Sequence, residues 1–225
     1  MKMSFKLLIR ALIRMIVGFL VIGALMFIPA WSFDYWQAWL LLGVLFIPML
    51  IAGIALAVKR PDLLQKRLNM REEQKEQKQV VMFSAIIFLA AFITAGLSYR
   101  FGWFMLPSWA SYAAAAVFLI SYGLYGEVLR ENVYLSRTVE VQEDQKVIDT
   151  GLYGIVRHPM YMSTVLMFLS MPLVLGSHVS FLIMLAYIPI IQKRIKNEEK
   201  VLEEGLPGYM DYEKKVTHRL IPFIW

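Results

Sequence analysis

A chain of 225 residues that is 59% hydrophobic, with 14 Phe, 11 Tyr, 6 Trp and a mean hydropathy of +0.57, carries more apolar surface than a soluble core of that size can bury. The net charge of +6 does not point to nucleic acid, because the basic residues lie between long apolar runs and form no patch interleaved with aromatics. With no cysteine, disulfides and thiolate metal sites are excluded; His158, His178 and His218 show no ligand-like spacing, so no metal is expected.

Lys2, Lys6, Arg10 and Arg14 precede or enter an apolar run from Ala11 to about Trp31. Some twenty such residues span roughly 30 Å of hydrocarbon and predict a first transmembrane helix. A signal peptide is the rival reading, but its apolar core would be shorter, and here a second apolar run follows after a few residues. Trp31, Tyr35, Trp36 and Trp39 crowd the intervening turn, as amphipathic rings do at the headgroup level, and a second span runs from Trp36 to Val58. Lys59 to Gln79 is a charged connector in which Pro61 ends the preceding helix and the Glu, Gln and Lys content suits a solvated surface helix. Val80 to Tyr99 forms the third span, Phe101 to Pro107 an aromatic turn, and Trp109 to Leu129 the fourth span, near whose end Glu127 is expected to reach the interface beside Arg130.

From Glu131 to Pro159 the chain is polar, and from Met160 to Gln192 it is apolar for 33 residues. One helix of that length would rise about 50 Å, well beyond a bilayer. Pro172 and Gly176-Ser177-His178 supply the interruption, predicting a helix-turn-helix hairpin of two arms, each about 14 to 16 residues long. Lys and Arg number 4 before the first span, 7 in residues 59–79, 4 in residues 130–158 and 7 after Gln192, leaving only Arg100 for the other side. The positive-inside rule then puts both termini in the cytosol. The expected fold is an all-α integral membrane protein of four transmembrane helices plus a C-terminal membrane hairpin. Residues 1–129 would form the N-terminal transmembrane region and residues 130–225 a second unit holding the polar segment, the hairpin and a cytosolic helix.

Polar side chains beside a membrane segment are costly unless they have work to do. The segment Asp149-Thr-Gly-Leu-Tyr-Gly-Ile-Val-Arg-His-Pro-Met-Tyr161 places two tyrosines, an Arg-His pair and a proline directly before the hairpin. After it come Arg194, Glu198 and Glu199 within a turn and a half of helix, Arg194 and Glu198 being i,i+4 neighbours. A hairpin returns its ends to one place, so the two groups should converge. Each residue also has a plainer use: His158 as a helix cap, Tyr153 and Tyr161 as interface anchors, Arg194 as a snorkelling cation, and Glu198-Glu199 as a solvated helix face.

The tract Thr150 to Tyr161, the later Arg194-Ile-x-x-Glu-Glu-x-x-Leu202, Gly208-Tyr-x-x-Tyr212 and Arg219-Leu-Ile-Pro-Phe223 together resemble the isoprenylcysteine carboxyl methyltransferase family, whose relatives include phospholipid N-methyltransferases. The resemblance covers about residues 130–225, with Leu152 where relatives commonly carry proline and Ser163 where they carry glycine. It implies S-adenosylmethionine as methyl donor, held on the cytosolic side by Gln142, by Gln145, Lys146, Val147 and Ile148, by Tyr153, by His158, Pro159, Met160 and Tyr161, and by Glu199. Arg194 falls on the position that faces the acceptor's carboxylate, and no role carries over to Glu198.

The implied reaction is in-line methyl transfer to a carboxylate of a prenylcysteine-like or lipid acceptor that enters from the bilayer. A carboxylate is already deprotonated at neutral pH, so positioning and charge placement would suffice without a general base. The protein would lie in the cell membrane of a bacterium or the endoplasmic reticulum of a eukaryote. A phospholipid N-methyltransferase, an NADPH-dependent membrane reductase of the sterol type and a non-enzymatic lipid-binding protein are the competing readings.

Overall fold

The computed structural model describes residues 5–59, 61–68, 75–135, 141–222 and 224–225. They form α1 (Phe5–Ala30), α2 (Trp36–Lys59), α3 (Pro61–Leu68), α4 (Lys75–Phe101), α5 (Ser108–Glu131), α6 (Pro159–Val174), α7 (His178–Leu185), α8 (Tyr187–Gly205) and α9 (Tyr209–Lys215), with a 3-10 turn at Gly151–Gly154. No strand forms among the described residues. The protein is all-helical, and five of its segments are long and apolar enough to cross a membrane: Leu7–Ala30, Trp36–Lys59, Lys78–Phe101, Ser108–Glu131 and His178–Gly205. Pro159–Val174 is apolar but shorter. Leu20, Ile51, Ile120 and Leu182 leave 63% to 66% of their surface uncovered, which in water would be untenable and in lipid is ordinary. The chain is an integral, multi-pass membrane protein.

The break in the 160–192 run falls at residues 175–177, one turn later than Pro172, which sits inside the last turn of α6. Gly176 has φ +72°, a conformation that L side chains rarely adopt, so the chain reverses there at little steric cost. The loop after α4 closes over this reversal: Leu106 N–H donates to Gly176 O at 2.8 Å, and Ser177 caps α7 by accepting from Ser180 N–H at 3.1 Å. Beyond the turn, the second arm is longer than the sequence reading has it. Only Ala186 separates α7 from α8, and its φ −64°, ψ −12° is close to helical, so the 28 residues His178–Gly205 run on as one apolar-to-polar rod. That continuity carries Arg194, Glu198 and Glu199 out of the apolar layer on a rigid element. Of the charged connector 59–79, α3 and the start of α4 are helical, while residues 69–74 lie outside the described set.

The most extensive helix pairing is α5 against α6, followed by α1 against α4 and α4 against α7. Tyr35 is fully buried where these meet; its hydroxyl donates to Leu175 O at 2.7 Å and its ring stacks on Tyr99 at 4.3 Å. At the α1–α4 crossing Gly96 lets the backbones touch: a Cβ there would stand 2.5 Å from Met26 O and 3.1 Å from Ala30 N. Backbone cannot yield as a side-chain tip can, so Gly96→Ala is expected to lower stability in detergent by about 1–3 kcal/mol. Thermal unfolding of the purified variant checks this; a melting temperature equal to wild type would contradict the close packing.

Candidate functional site

Residues 141–158 form no regular element beyond the 3-10 turn, and side chains from α5, α8 and α9 hold them in place. Glu131 at the end of α5 accepts from Leu152 N–H at 3.2 Å and from Thr150 Oγ1 at 3.3 Å. Gly151 has φ +51°, a conformation L side chains rarely adopt, and a Cβ would lie 1.9 Å from Glu131 Oε1, so any side chain there would also push the Glu131 carboxylate out of place. Tyr153 is buried and held at both ends: Asn132 Nδ2 donates to its hydroxyl at 2.9 Å, and the Tyr212 hydroxyl donates to its carbonyl at 2.7 Å. Gln142 serves the loop itself, its Nε2 donating to Tyr134 O at 2.5 Å and its backbone N–H to Gln145 Oε1 at 2.9 Å.

Beneath this loop lies a buried ionic cluster centred on Glu199, which is 2% exposed. Arg157 donates to Glu199 Oε1 from Nε at 2.9 Å and from Nη2 at 2.7 Å, and His158 Nε2 lies 3.2 Å from the same oxygen. Arg219 Nε donates to Oε2 at 2.6 Å. Arg157 Nη1 also donates to Val216 O at 3.0 Å and Thr217 O at 3.2 Å, while the backbone N–H groups of Arg157 and His158 donate to His218 O and Arg219 O, both at 2.9 Å. A single carboxylate on α8 thereby fastens the segment before α6 to the segment after α9. Glu213 completes the cluster 3.3 Å from Arg157 Nη2; burial holds its carboxyl above the ordinary carboxylate range, against the pull of Arg157.

Beside the cluster opens a cleft lined by Gln145, Lys146, Val147, Ile148, Tyr153, His158, Met160, Tyr161 and Arg194, so these sequence-derived candidates come together. Gln142, Pro159 and Glu199 are not in its wall: Gln142 braces the loop, Pro159 opens α6, and both oxygens of Glu199 are turned to the ionic cluster. In place of Glu199 the cleft presents Glu198, whose Oε2 accepts from the Tyr161 hydroxyl, and that hydroxyl in turn accepts from Arg194 Nε at 2.9 Å. Arg194 and Glu198 are thus bridged by Tyr161.

Sequence reasoning also gave no role to Asn132, Tyr209 or Tyr212, which line the same cleft, whereas Arg157, expected to converge with Glu199, lines it and pairs with that carboxylate. For the two tyrosines the signal was present in Gly208-Tyr-x-x-Tyr212; for Asn132 there was none. Tyr209 is 4% exposed and its hydroxyl has no hydrogen-bond partner among the described residues, although it stands in the cleft wall. Burial raises its phenol above the usual value, so it remains a neutral O–H donor at physiological pH. A buried hydroxyl without a partner is costly in a folded chain and marks a place where a ligand would supply one.

Among the described residues the wall therefore offers five tyrosine rings, apolar side chains, a carboxylate in Glu198 and a guanidinium in Arg194. Such a mixture suits a ligand that carries a flat ring, polar hydroxyls and charges of both signs.

Among known proteins, Delta(14)-sterol reductase TM7SF2 of Mus musculus is 25% identical over 91 residues, which is 39% of this chain and 22% of that protein's length. The model of the Isoprenylcysteine carboxyl methyltransferase (ICMT) family matches residues 114–204, from within α5 to the end of α8. That stretch holds the loop, the α6–α8 hairpin and every residue of the Arg194–Tyr161–Glu198 bridge, whereas Leu206, Tyr209 and Tyr212 of the cleft wall lie just beyond it.

Proposed function

We propose that this protein is an S-adenosylmethionine-dependent methyltransferase that acts on the carboxylate of a lipophilic, prenylcysteine-like acceptor, with the cleft facing the cytosol. The observation that carries the reading is the cleft itself, where a guanidinium and a carboxylate flank one tyrosine within the segment that matches the family, and where the buried phenol of Tyr209, just beyond that segment, has no partner among the described residues. The residues fit the donor: tyrosine rings can receive its adenine, Tyr209 can donate to a polar group, and Glu198 can offset its positive charge. When bound, the donor supplies an electrophilic methyl on a sulfonium sulfur.

The remaining contributions come from the chain. Arg194 holds the acceptor carboxylate through its planar fork, and its Nε bond to Tyr161 fixes the guanidinium's orientation. Tyr161 is fixed in turn by Glu198. The acceptor oxygen is already anionic, so no proton need be moved, and rate comes from alignment and from excluding water. Its lipid portion reaches the cleft along the apolar helices. Cytosolic placement rests on the Lys and Arg count, in which Arg100 alone stands apart.

A reductase is the second reading, since the sterol reductase matches a comparable length of chain. Binding separates the two. The detergent-solubilised protein should bind S-adenosylhomocysteine and not NADPH; the reverse would establish the reductase. Tyr209→Phe is expected to weaken S-adenosylhomocysteine by about 0.5–1.5 kcal/mol, roughly two- to twelvefold in Kd by calorimetry, with no loss of melting temperature because no protein bond is removed. Unchanged affinity would take Tyr209 out of the donor site.

A further inference from the structure

A second concavity shares no residue with the cleft. It lies between α1 and α2, is closed at one end by Leu64 and Leu68 of α3, and among the described residues that line it Arg14 is the charged one. Along α1 it runs from Leu8 to Ile22, about 21 Å at 1.5 Å per residue. That exceeds one leaflet's share of a hydrocarbon core of roughly 30 Å. Glycines hollow it: a Cβ at Gly53 would meet nothing within 4 Å, and one at Gly18 would meet only the Phe46 ring at 3.7 Å and 3.8 Å.

Arg14 is exposed and donates from Nη1 to Leu68 O, which ties the end of α3 to the groove's mouth. None of the described residues that line the groove is acidic. Arg10, one helical turn earlier, is also exposed and adds charge of the same sign. A second copy of the chain seated here by two-fold symmetry would bring Arg10 and Arg14 against their own counterparts, like charges at a membrane surface.

We propose that this groove is a binding site for an anionic phospholipid, with one acyl chain lying between α1 and α2 and the phosphate against Arg14. Guanidinium matches phosphate geometry with paired N–H donors, and an acyl chain fills a groove that the protein's own side chains leave open. Such a lipid would bind the short α3 to the transmembrane bundle. This site is separate from the methyltransferase reading and survives its failure.

The experiment titrates the detergent-solubilised full chain with phosphatidylglycerol and, separately, with phosphatidylcholine of the same acyl chains, reading the melting temperature. Phosphatidylglycerol should raise it saturably, with phosphatidylcholine needing about tenfold more lipid for the same rise. Arg14→Gln should bring the phosphatidylglycerol response down to that of phosphatidylcholine. Gly53→Leu, which fills the groove without touching Arg14, should remove both responses; should it not fold, Gly18→Val reads the same space. Equal responses of the wild type to the two lipids overturn the site, as does an undiminished phosphatidylglycerol response in the groove-filling variants. A mass in detergent that falls from dimer to monomer on filling the groove would assign it to a second copy instead.

Discussion

Glu199→Ala is expected to lower stability by about 3–5 kcal/mol, the cost of removing one partner from a buried ionic cluster. Without that carboxylate, Arg157 and His158 remain buried, with Glu213 as the other acid in contact with Arg157 and Arg219 left without its partner oxygen. The effect is on the scaffold first. Arg157 and His158 fix residues 157–158 against 218–219, and the cleft wall follows from that alignment. Affinity for S-adenosylhomocysteine should therefore fall together with melting temperature. Thermal unfolding with and without S-adenosylhomocysteine checks the argument. If Glu199→Ala instead melts like wild type while losing the ligand, Glu199 touches the ligand directly and the structural account of the cluster fails.

Glu198 and Glu199 illustrate where a sequence stops being informative. Adjacent helical residues point about 100° apart, so one of the pair can face the cleft while the other faces the ionic cluster, but nothing in the composition says which. That choice is made by α6 and the C-terminal segment: Tyr161 stands on one side of α8, and Arg157 and Arg219 stand on the other. The same limit holds for Arg157 and Arg219, since a cation near a membrane surface reads alike whether it snorkels or pairs.

The coarse architecture was far more legible, because lipid tolerates only long, internally bonded apolar segments and each such segment is visible as a run. Residue 176 was legible as a break for a related reason, a 33-residue run being too long for one crossing. What the run could not disclose is that α7 and α8 continue almost without pause, since Ala186 has no sequence feature that distinguishes a slight bend from a straight helix. Nor could it disclose that α6 would run two residues past Pro172, so that the reversal falls at residues 175–177.

Arg194→Ala is expected to retain donor affinity and to lose methyl transfer, and the geometry says why the two should separate. Arg194 reaches the Tyr161 hydroxyl through Nε, and its guanidinium carbon lies 5.9 Å from that ring's centroid, so α6 helps to position it. Its removal leaves the Arg157–His158–Glu199–Arg219 scaffold intact, and the melting temperature should change little. A charged hydrogen bond to an anionic acceptor contributes about 1.5–3 kcal/mol, roughly tenfold to 150-fold in kcat/KM for a prenylated cysteine analogue. Arg194→Lys should recover part of the loss at most, because an ammonium keeps the charge but cannot reproduce the planar two-bond fork. Donor binding by calorimetry in the same preparations keeps this loss distinct from a damaged donor site. Methyl transfer by Arg194→Ala at the wild-type rate would end the carboxylate-clamp account. Glu198 would then become the functional group to pursue, since a cleft carboxylate is suited to accept the proton that an amine-bearing lipid acceptor must lose.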